Sequence, residues 1–358
     1  MSDRVRCAVI GTGYFAQDCH IPGLQRHPRA EVTLVCGRNR ERTQAVAGRF
    51  AVPAWTTDWE AAISDKNIDA VTIAYPDHLH VPIAAAALRA GKHVFCEKPL
   101  GRSAEETADL LGQARQSDRI RMVAFTLRYL LATRKLREEV AGGRLGRLRF
   151  VRAQSAAWTA WTDSTQLDWR LRWDRGGTGV SGDVGCHLFD LLTWIIGRIE
   201  GLTGLSVTLE NVGRDPEGEG RLASDTDEID AALVRVAGLP GQIFLSRRAT
   251  QGTEGAWFEV VGDEGGLRAA LTRGQTEELV FQKLDGSVEQ YALPSEGETF
   301  PLPARGRMMK AFVDAVLRGA PDPELDGTFV EGHRAQVALD ALHRSAREQR
   351  WVEVPSVL

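Results

Sequence analysis

The sequence predicts an α/β protein: an N-terminal Rossmann-type, doubly wound parallel sheet, then an α+β half with a large, mostly antiparallel open sheet. Three observations predict it. Five short apolar or β-branched runs alternate with helical stretches over the first third of the chain. The first run ends in a glycine-rich turn, Gly11-Thr-Gly-Tyr-Phe-Ala16. After about residue 125 the rhythm changes to long segments of alternating polarity. Near-continuous apolar strands with intervening helices mean a sheet covered on both faces, whereas alternation means a sheet covered on one.

In the first third the strands fall at Val5–Ile10 and at 31–36, 68–74, 93–96 and 120–124. Helical stretches lie at 15–25, 40–50, 79–90 and 104–116. Pro82 suits a first helical turn, Ser103 an N-cap, and Gly91 a helix stop. In the second half a helix over 130–140 ends at Gly142-Gly143. Strands follow at 148–156, 204–209, 229–236, 242–248, 257–261, 279–283 and 288–293, interrupted by one strong helix over 183–196. Helices over 307–318 and 332–349 close the chain, and the glycine-rich, charged stretch 211–223 reads as a loop. The expected domains are 1–125 for a dinucleotide and 126–358 for substrate and oligomerisation.

The chain has 358 residues, enough for two domains, and 43% hydrophobic content gives it a sizeable core. Forty-four basic against 48 acidic residues leave a net charge of −4, which argues against a nucleic-acid partner. No apolar run is long enough to span a membrane, so no membrane partner is expected. The N-terminus becomes strand-like by Val5, so no signal peptide is expected. Five cysteines without C-x-x-C spacing suit reduced thiols in a cytoplasm.

The turn is a G-x-G-x-x-A motif placed between strand and helix. Gly11 permits the tight turn, Gly13 lets backbone approach a pyrophosphate, and Ala16 lets helix and strand pack closely. The end of the second strand reads Cys36-Gly-Arg-Asn-Arg40, with no carboxylate until Glu41. An acidic residue there would hold the ribose 2′-hydroxyl of NAD(H). Gly37 leaves room, and Arg38 offers a guanidinium to a 2′-phosphate, so NADP(H) is favoured over NAD(H). Arg38 as a solvated surface charge is the alternative.

Four local matches carry a family resemblance. They are the 11–16 turn; Ala74-Tyr-Pro-Asp-His-Leu-His80 followed by Ala90-Gly-Lys-His-Val-Phe-Cys-Glu-Lys-Pro99; Gly176-Gly177 with Asp183-x-Gly185-x-His187-x-x-Asp190; and Ser345-Ala-Arg-Glu-Gln-Arg-Trp-Val352. The chain resembles the Gfo/Idh/MocA family, named for glucose-fructose oxidoreductase and inositol dehydrogenase. Tyr75, Asp77 and Thr178 depart from the family's usual residues. The resemblance implies a nicotinamide-binding Rossmann domain and reversible oxidation of a secondary alcohol on a sugar, cyclitol or related polyol. It also implies a second domain whose open sheet serves a homo-oligomer. The cofactor contacts it implies are Gly11, Gly13, Tyr14, Phe15, Ala16, Arg38, Tyr75, Pro76, His80, Glu97 and Lys98.

On a regular helix Asp183, His187 and Asp190 fall within about 60° of one another, on a different face from an aliphatic stripe. His187 is then the proton donor and acceptor, because an imidazole exchanges protons near neutral pH. Asp183 contacts substrate or orients His187; Asp190 holds the helix or the imidazole. Lys98 follows the fourth main strand, whose C-terminal end faces the ligand crevice of such a sheet, and its ammonium can polarise the reacting oxygen. Glu97 pairs with Lys98 or holds the nicotinamide ribose. Arg128, Trp161 and Arg170 are candidate substrate contacts, Trp161 as one of four tryptophans that stack on sugar or pack in the fold. Cys186 points away from His187. His78 and His80 lack a third ligand nearby, so no metal is expected. Two other readings stand beside a dehydrogenase: a transient-redox enzyme with tightly bound cofactor (glycosidic cleavage or epimerisation), and a non-catalytic sugar or nucleotide sensor.

Overall fold

The computed structural model describes residues 4–157, 169–175, 177–209, 212–214, 220–249, 255–271, 277–294 and 303–357. The chain divides into two compact units, Met1–Thr126 with Thr299–His333, and Leu127–Glu298 with Arg334–Leu358.

In the first unit, six strands form one parallel sheet: β1 Val5–Ile10, β2 Ala30–Cys36, β3 Ala54–Thr56, β4 Ala70–Ile73, β5 His93–Cys96 and β6 Arg121–Val123. Their order is β3-β2-β1-β4-β5-β6, the doubly wound arrangement in which connections reverse beside β1. β1 and β4 are buried almost throughout, as a sheet covered on both faces requires. The helices are α1 Ile21–Gln25, α2 Arg40–Arg49, α3 Trp59–Ser64, α4 His80–Arg89 and α5 Ala104–Ala114. Asn39, Asp58 and Ser103 cap α2, α3 and α5, each accepting from a backbone N–H in the first turn. β3 and α3 are absent from the sequence-based expectation.

The helix Pro303–Arg318, expected in the second half of the molecule, packs within the first unit. Met309 lies where a β-carbon on Gly23 would stand, 2.6 Å from its Cγ, and the Phe312 ring lies 5.3 Å from that of Phe95. An amphipathic pattern shows that a helix has a buried face but not which layer covers it.

In the second unit, helices α6 Leu131–Ala141 and α7 Cys186–Ile195 accompany strands β7 Leu148–Ala156, β8 Ile199–Val207, β9 Val212–Arg214, β10 Arg221–Ala223, β11 Ile229–Val236, β12 Leu239–Ser246, β13 Gly255–Gly262, β14 Gly265–Ala270, β15 Leu279–Gln282, β16 Val288–Gln290 and β17 Val352–Glu353. Nine of them form a sheet ordered β16-β15-β14-β13-β7-β12-β11-β8-β17, antiparallel except for β7 beside β12. Ala237 and Gly238, both at positive φ, make the two-residue turn between β11 and β12 that suits the twist of a hairpin. β9 and β10 pair within the stretch expected to be loop.

One face of the sheet carries the helical layer; Leu342 of the last helix, Phe329–Glu348, packs where Gly204 leaves space. The other face is open. Register sets Leu205, Ala231, Phe244, Gln154 and Trp257 abreast across five strands, and Leu205 and Leu233 are 64% and 59% exposed. Among the described residues no helix is long and apolar enough to cross a membrane.

Candidate functional site

In the first unit the candidate residues gather at the C-terminal ends of β1, β2, β4 and β5. Gly11 leaves β1 at φ +140°, and a β-carbon there would lie 2.4 Å from the Ala74 carbonyl oxygen. Gly13 is different: a β-carbon on it would meet nothing within 4 Å. The turn therefore needs Gly11 for its own geometry and keeps Gly13 bare toward open space, the cradle a pyrophosphate requires. Ala16 is fully buried, Tyr14 is exposed, and Arg305 stacks over the rings of Tyr14 and Phe15 while bonding Asp18. The Thr12 carbonyl accepts from Gln17 Nε2 at 2.9 Å and from Arg42 Nε at 3.1 Å, which fixes the turn.

Arg38 is exposed just past β2. Gly37 is not spare room, because a β-carbon there would stand 2.5 Å from both Thr12 and Thr43 side chains. Tyr75 reaches the same strand end, where its hydroxyl meets the Cys36 thiol near the Arg38 charge. Burial pushes the phenol up and the Cys36 thiol up to about 11.

The turn after β4 and the segment after β5 are tied by His80. Its Nδ1 lies 2.6 Å from the Pro99 carbonyl oxygen and its Nε2 2.8 Å from that of Tyr75. Burial holds this imidazole below its ordinary pKa against the pull of those two carbonyls. His80 is thus occupied with backbone in the turn that Pro76 opens. Glu97 is held by protein groups: Oε1 lies 3.0 Å from buried His20 Nε2, and Oε2 accepts the Lys98 N–H at 3.3 Å. Burial pushes the Glu97 carboxyl up, but His20, then Lys98 and His80, hold it below the ordinary value. Lys98 is 8% exposed, and its bond to Pro99 is cis.

In the second unit, Asp183 sits on a π-helical turn, Ser181–Gly185, that leads directly into α7. The wider turn breaks the regular phase assumed for a single helix, so the three polar residues do not share one environment. Asp190 is turned into the core, where its two carboxylate oxygens accept from Arg128 Nε and Nη2 at 2.8 and 2.6 Å. Both side chains are almost fully buried. Arg128 is therefore committed to this fork, not presented as a substrate contact. Asp183 stays one-quarter exposed beside two guanidiniums, Arg247 at 3.1 Å and Arg170 at 3.7 Å. His187 is half-buried in the first turn of α7, and Cys186 is buried. Arg170 also stacks on Trp169, 4.3 Å from the ring centre. Trp161, Trp158 and Gly176 lie outside the described residues.

Sequence reasoning missed Arg247, which comes from the end of β12, sixty-four residues from Asp183 in the chain. It also missed a group beneath the π-turn: Asp227, Asp230 and His343. Burial favours the neutral form of both carboxyls; beyond that, His343 holds Asp227 low, and Asp227 drives Asp230 high. No local pattern marks these partners, since each comes from a different element.

Residues 5–125 match the oxidoreductase family with an NAD-binding Rossmann fold, and residues 133–268 match the GFO/IDH/MocA C-terminal domain. The chain is 29% identical to levoglucosan dehydrogenase of Pseudarthrobacter phenanthrenivorans over 357 residues, covering 90% of each chain. It is 26% identical to myo-inositol 2-dehydrogenase of Thermotoga maritima, covering 99% of this chain and 100% of that one. Among solved structures, levoglucosan dehydrogenase in complex with NADH and L-sorbose superposes with a TM-score of 0.90 at 24% identity, over 99% of this chain and all of that one. An oxidoreductase domain protein from Kribbella flavida superposes with a TM-score of 0.89 at 27% identity, at the same coverage. With its Rossmann half and its C-terminal half each matched in order, the chain belongs to the Gfo/Idh/MocA family of oxidoreductases.

Proposed function

We propose that this protein is an NAD(P)-dependent dehydrogenase or reductase that interconverts a secondary alcohol and ketone on a sugar, cyclitol or related polyol. The observation that carries the reading is the Gly11–Gly13 pair, one glycine demanded by the fold and the other facing open space at a strand-to-helix turn. The sugar and cyclitol relatives named above support the substrate class.

Gly11, Gly13 and the following helix start would hold the pyrophosphate, and Arg38 with Tyr75 the adenosine ribose. A nicotinamide bound there supplies the hydride acceptor or donor. The chain's own residues handle charge and protons. His187 takes the hydroxyl proton on oxidation and returns it on reduction. The Lys98 ammonium stabilises negative charge on the reacting oxygen. Asp183, fixed by Arg247, orients a substrate hydroxyl or the imidazole. NADP is favoured because Arg38 is exposed where a carboxylate would select NAD and because Asn39 is taken up in capping α2. The open face of the large sheet supports a homo-oligomer, since exposed aliphatic side chains such as Leu205 and Leu233, beside the part-exposed Phe244 and Trp257, mark association surfaces.

The test is absorbance at 340 nm with sugars, cyclitols and small ketones, NAD and NADP in parallel. Turnover of at least one polyol is expected, with His187→Ala lowering kcat while cofactor affinity holds. Full turnover by that variant would remove His187 from the chemistry, and protein that purifies with nucleotide and needs none added would favour transient redox.

A further inference from the structure

Asp227, Asp230 and His343 come from the turn before β11, from β11 itself and from the last helix. Each offers one ligand atom, and these atoms lie within 4.8 Å of one another. Asp230 is 1% exposed, and among the described residues no donor reaches either of its carboxylate oxygens with good hydrogen-bond geometry. Its cross-strand neighbour Ser206 sets a buried hydroxyl against it, without a well-formed hydrogen bond among the described residues. Asp227, 6% exposed, presses against it; Asp227 accepts the Ser181 N–H at 3.2 Å, and its Oδ1 lies 3.4 Å from His343 Nε2. The space is built for this carboxylate, because a β-carbon on Gly179 would fall 1.9 Å from Asp227 Oδ1.

Two touching carboxylates removed from water need positive charge between them, and one imidazole can balance only one. The arrangement is not a nucleophilic triad: Ser181 Oγ and Asp227 both address Nε2 of His343, and among the described residues no carboxylate bonds Nδ1 to orient the ring. Two carboxylates and one imidazole are a ligand set for a borderline divalent ion, whereas Ca²⁺ would ask for more oxygens. Adjacent donors on an ion at ~2.1 Å stand about 3.0–3.4 Å apart, and Asp227 Oδ1 and His343 Nε2 already stand 3.4 Å apart. His343, with 23% of its side chain exposed, gives the ion a route in from solvent.

We propose that Asp227, Asp230 and His343 form a binding site for one first-row divalent cation of the Zn²⁺ or Mn²⁺ class. Bound there, the ion ties the turn that precedes Asp183 to β11 and to the last helix. The site is independent of the proposed redox chemistry.

The test uses the whole chain, dialysed against a chelator and then against Zn²⁺ or Mn²⁺ alone, with metal content and affinity measured. One equivalent of at least one ion is expected, with a rise in melting temperature. Asp230→Asn and His343→Ala should each weaken that binding about a hundredfold and abolish the rise. Should either variant fail to fold, Co²⁺ absorption on the wild type decides, because a carboxylate–imidazole site gives visible ligand-field bands. No stoichiometric uptake, uptake undiminished in folded Asp230→Asn, or a Co²⁺ spectrum identical to the aqueous ion overturns the proposal. If the wild type takes up no ion and Asp230→Asn is more stable at pH 7, the two carboxyls share a proton instead.

Discussion

Arg247 donates from Nη2 to Asp183 Oδ2 at 3.1 Å and to the Gly179 carbonyl oxygen at the same distance. One guanidinium thus fixes both a carboxylate and the backbone that launches the π-turn carrying it. Its Nη1 is buried with no partner among the described residues. Replacing Arg247 by Met should leave Asp183 charged, with Arg170 at 3.7 Å as its other guanidinium neighbour and without the bond that ties it to the Gly179 backbone. Misplacement of about an ångström costs on the order of 100-fold in rate, so kcat should fall ~10–100-fold with little change in cofactor affinity. If Asp183 is the group through which Arg247 acts, Arg247→Met with Asp183→Asn should lose no more than the worse single variant. Steady-state kinetics of the four proteins check this; additive losses would assign the two residues separate roles.

The Arg128–Asp190 fork is a buried ion pair with two charge-assisted hydrogen bonds. Removing one partner strands the other charge in a medium that cannot solvate it. Asp190→Asn or Arg128→Met should each destabilise by about 3–5 kcal/mol, while Arg128→Met with Asp190→Leu should cost less than either. Chemical denaturation of the three variants measures it. A double variant worse than both singles would mean that packing, not charge, is what the pair supplies.

The parallel half was largely legible because its strands are short apolar runs bounded by glycine, and Val5–Ile10 or His93–Cys96 can hardly be read otherwise. Ala54–Thr56 was not legible: it is three residues long, half-exposed, and depends on pairing with β2 for its conformation. The site was legible where one local motif holds all its parts, as at Gly11 and Gly13. It was not where partners meet only in space. Asp190 reads as a member of the polar stripe until Arg128 is seen to turn it inward. Arg247, Asp227 and His343 carry no local signal at all.

Glu97 ties stability to pH. Its folded carboxyl lies below the ordinary value of 4.5, despite burial, because His20, Lys98 and His80 favour the charged form. A depressed carboxyl contributes stability that is complete above the unfolded value and is lost as pH falls through the folded value. Glu97→Gln should therefore melt lower than wild type by a constant margin above about pH 5, and the margin should shrink below about pH 4.5. Melting temperatures from pH 7 to pH 4 decide it. A margin that grows on acidification would contradict the sign.

Arg38 tests cofactor choice without touching the chemistry. A charge-assisted hydrogen bond to a phosphate contributes about 1.5–3 kcal/mol, so Arg38→Ala should weaken NADP binding about tenfold or more and NAD binding little. Titration calorimetry with both nucleotides reads the difference. Equal weakening would make Arg38 a general contact and remove the argument for a 2′-phosphate.

The two glycines of the first turn should fail differently. In Gly11→Ala the new β-carbon stands 2.4 Å from a carbonyl oxygen at φ +140°, a conformation that an L side chain rarely adopts. Strain of this kind costs about 1–3 kcal/mol before the collision is counted, so the variant should melt lower and bind nucleotide poorly. In Gly13→Ala the β-carbon meets nothing within 4 Å, so the fold and melting temperature should hold. The methyl would nevertheless occupy the space in which a pyrophosphate approaches the backbone, and nucleotide affinity should fall more than tenfold. Thermal melts and nucleotide titration on both variants separate the two roles. If Gly13→Ala binds NAD and NADP as tightly as wild type, the pyrophosphate does not lie against this turn.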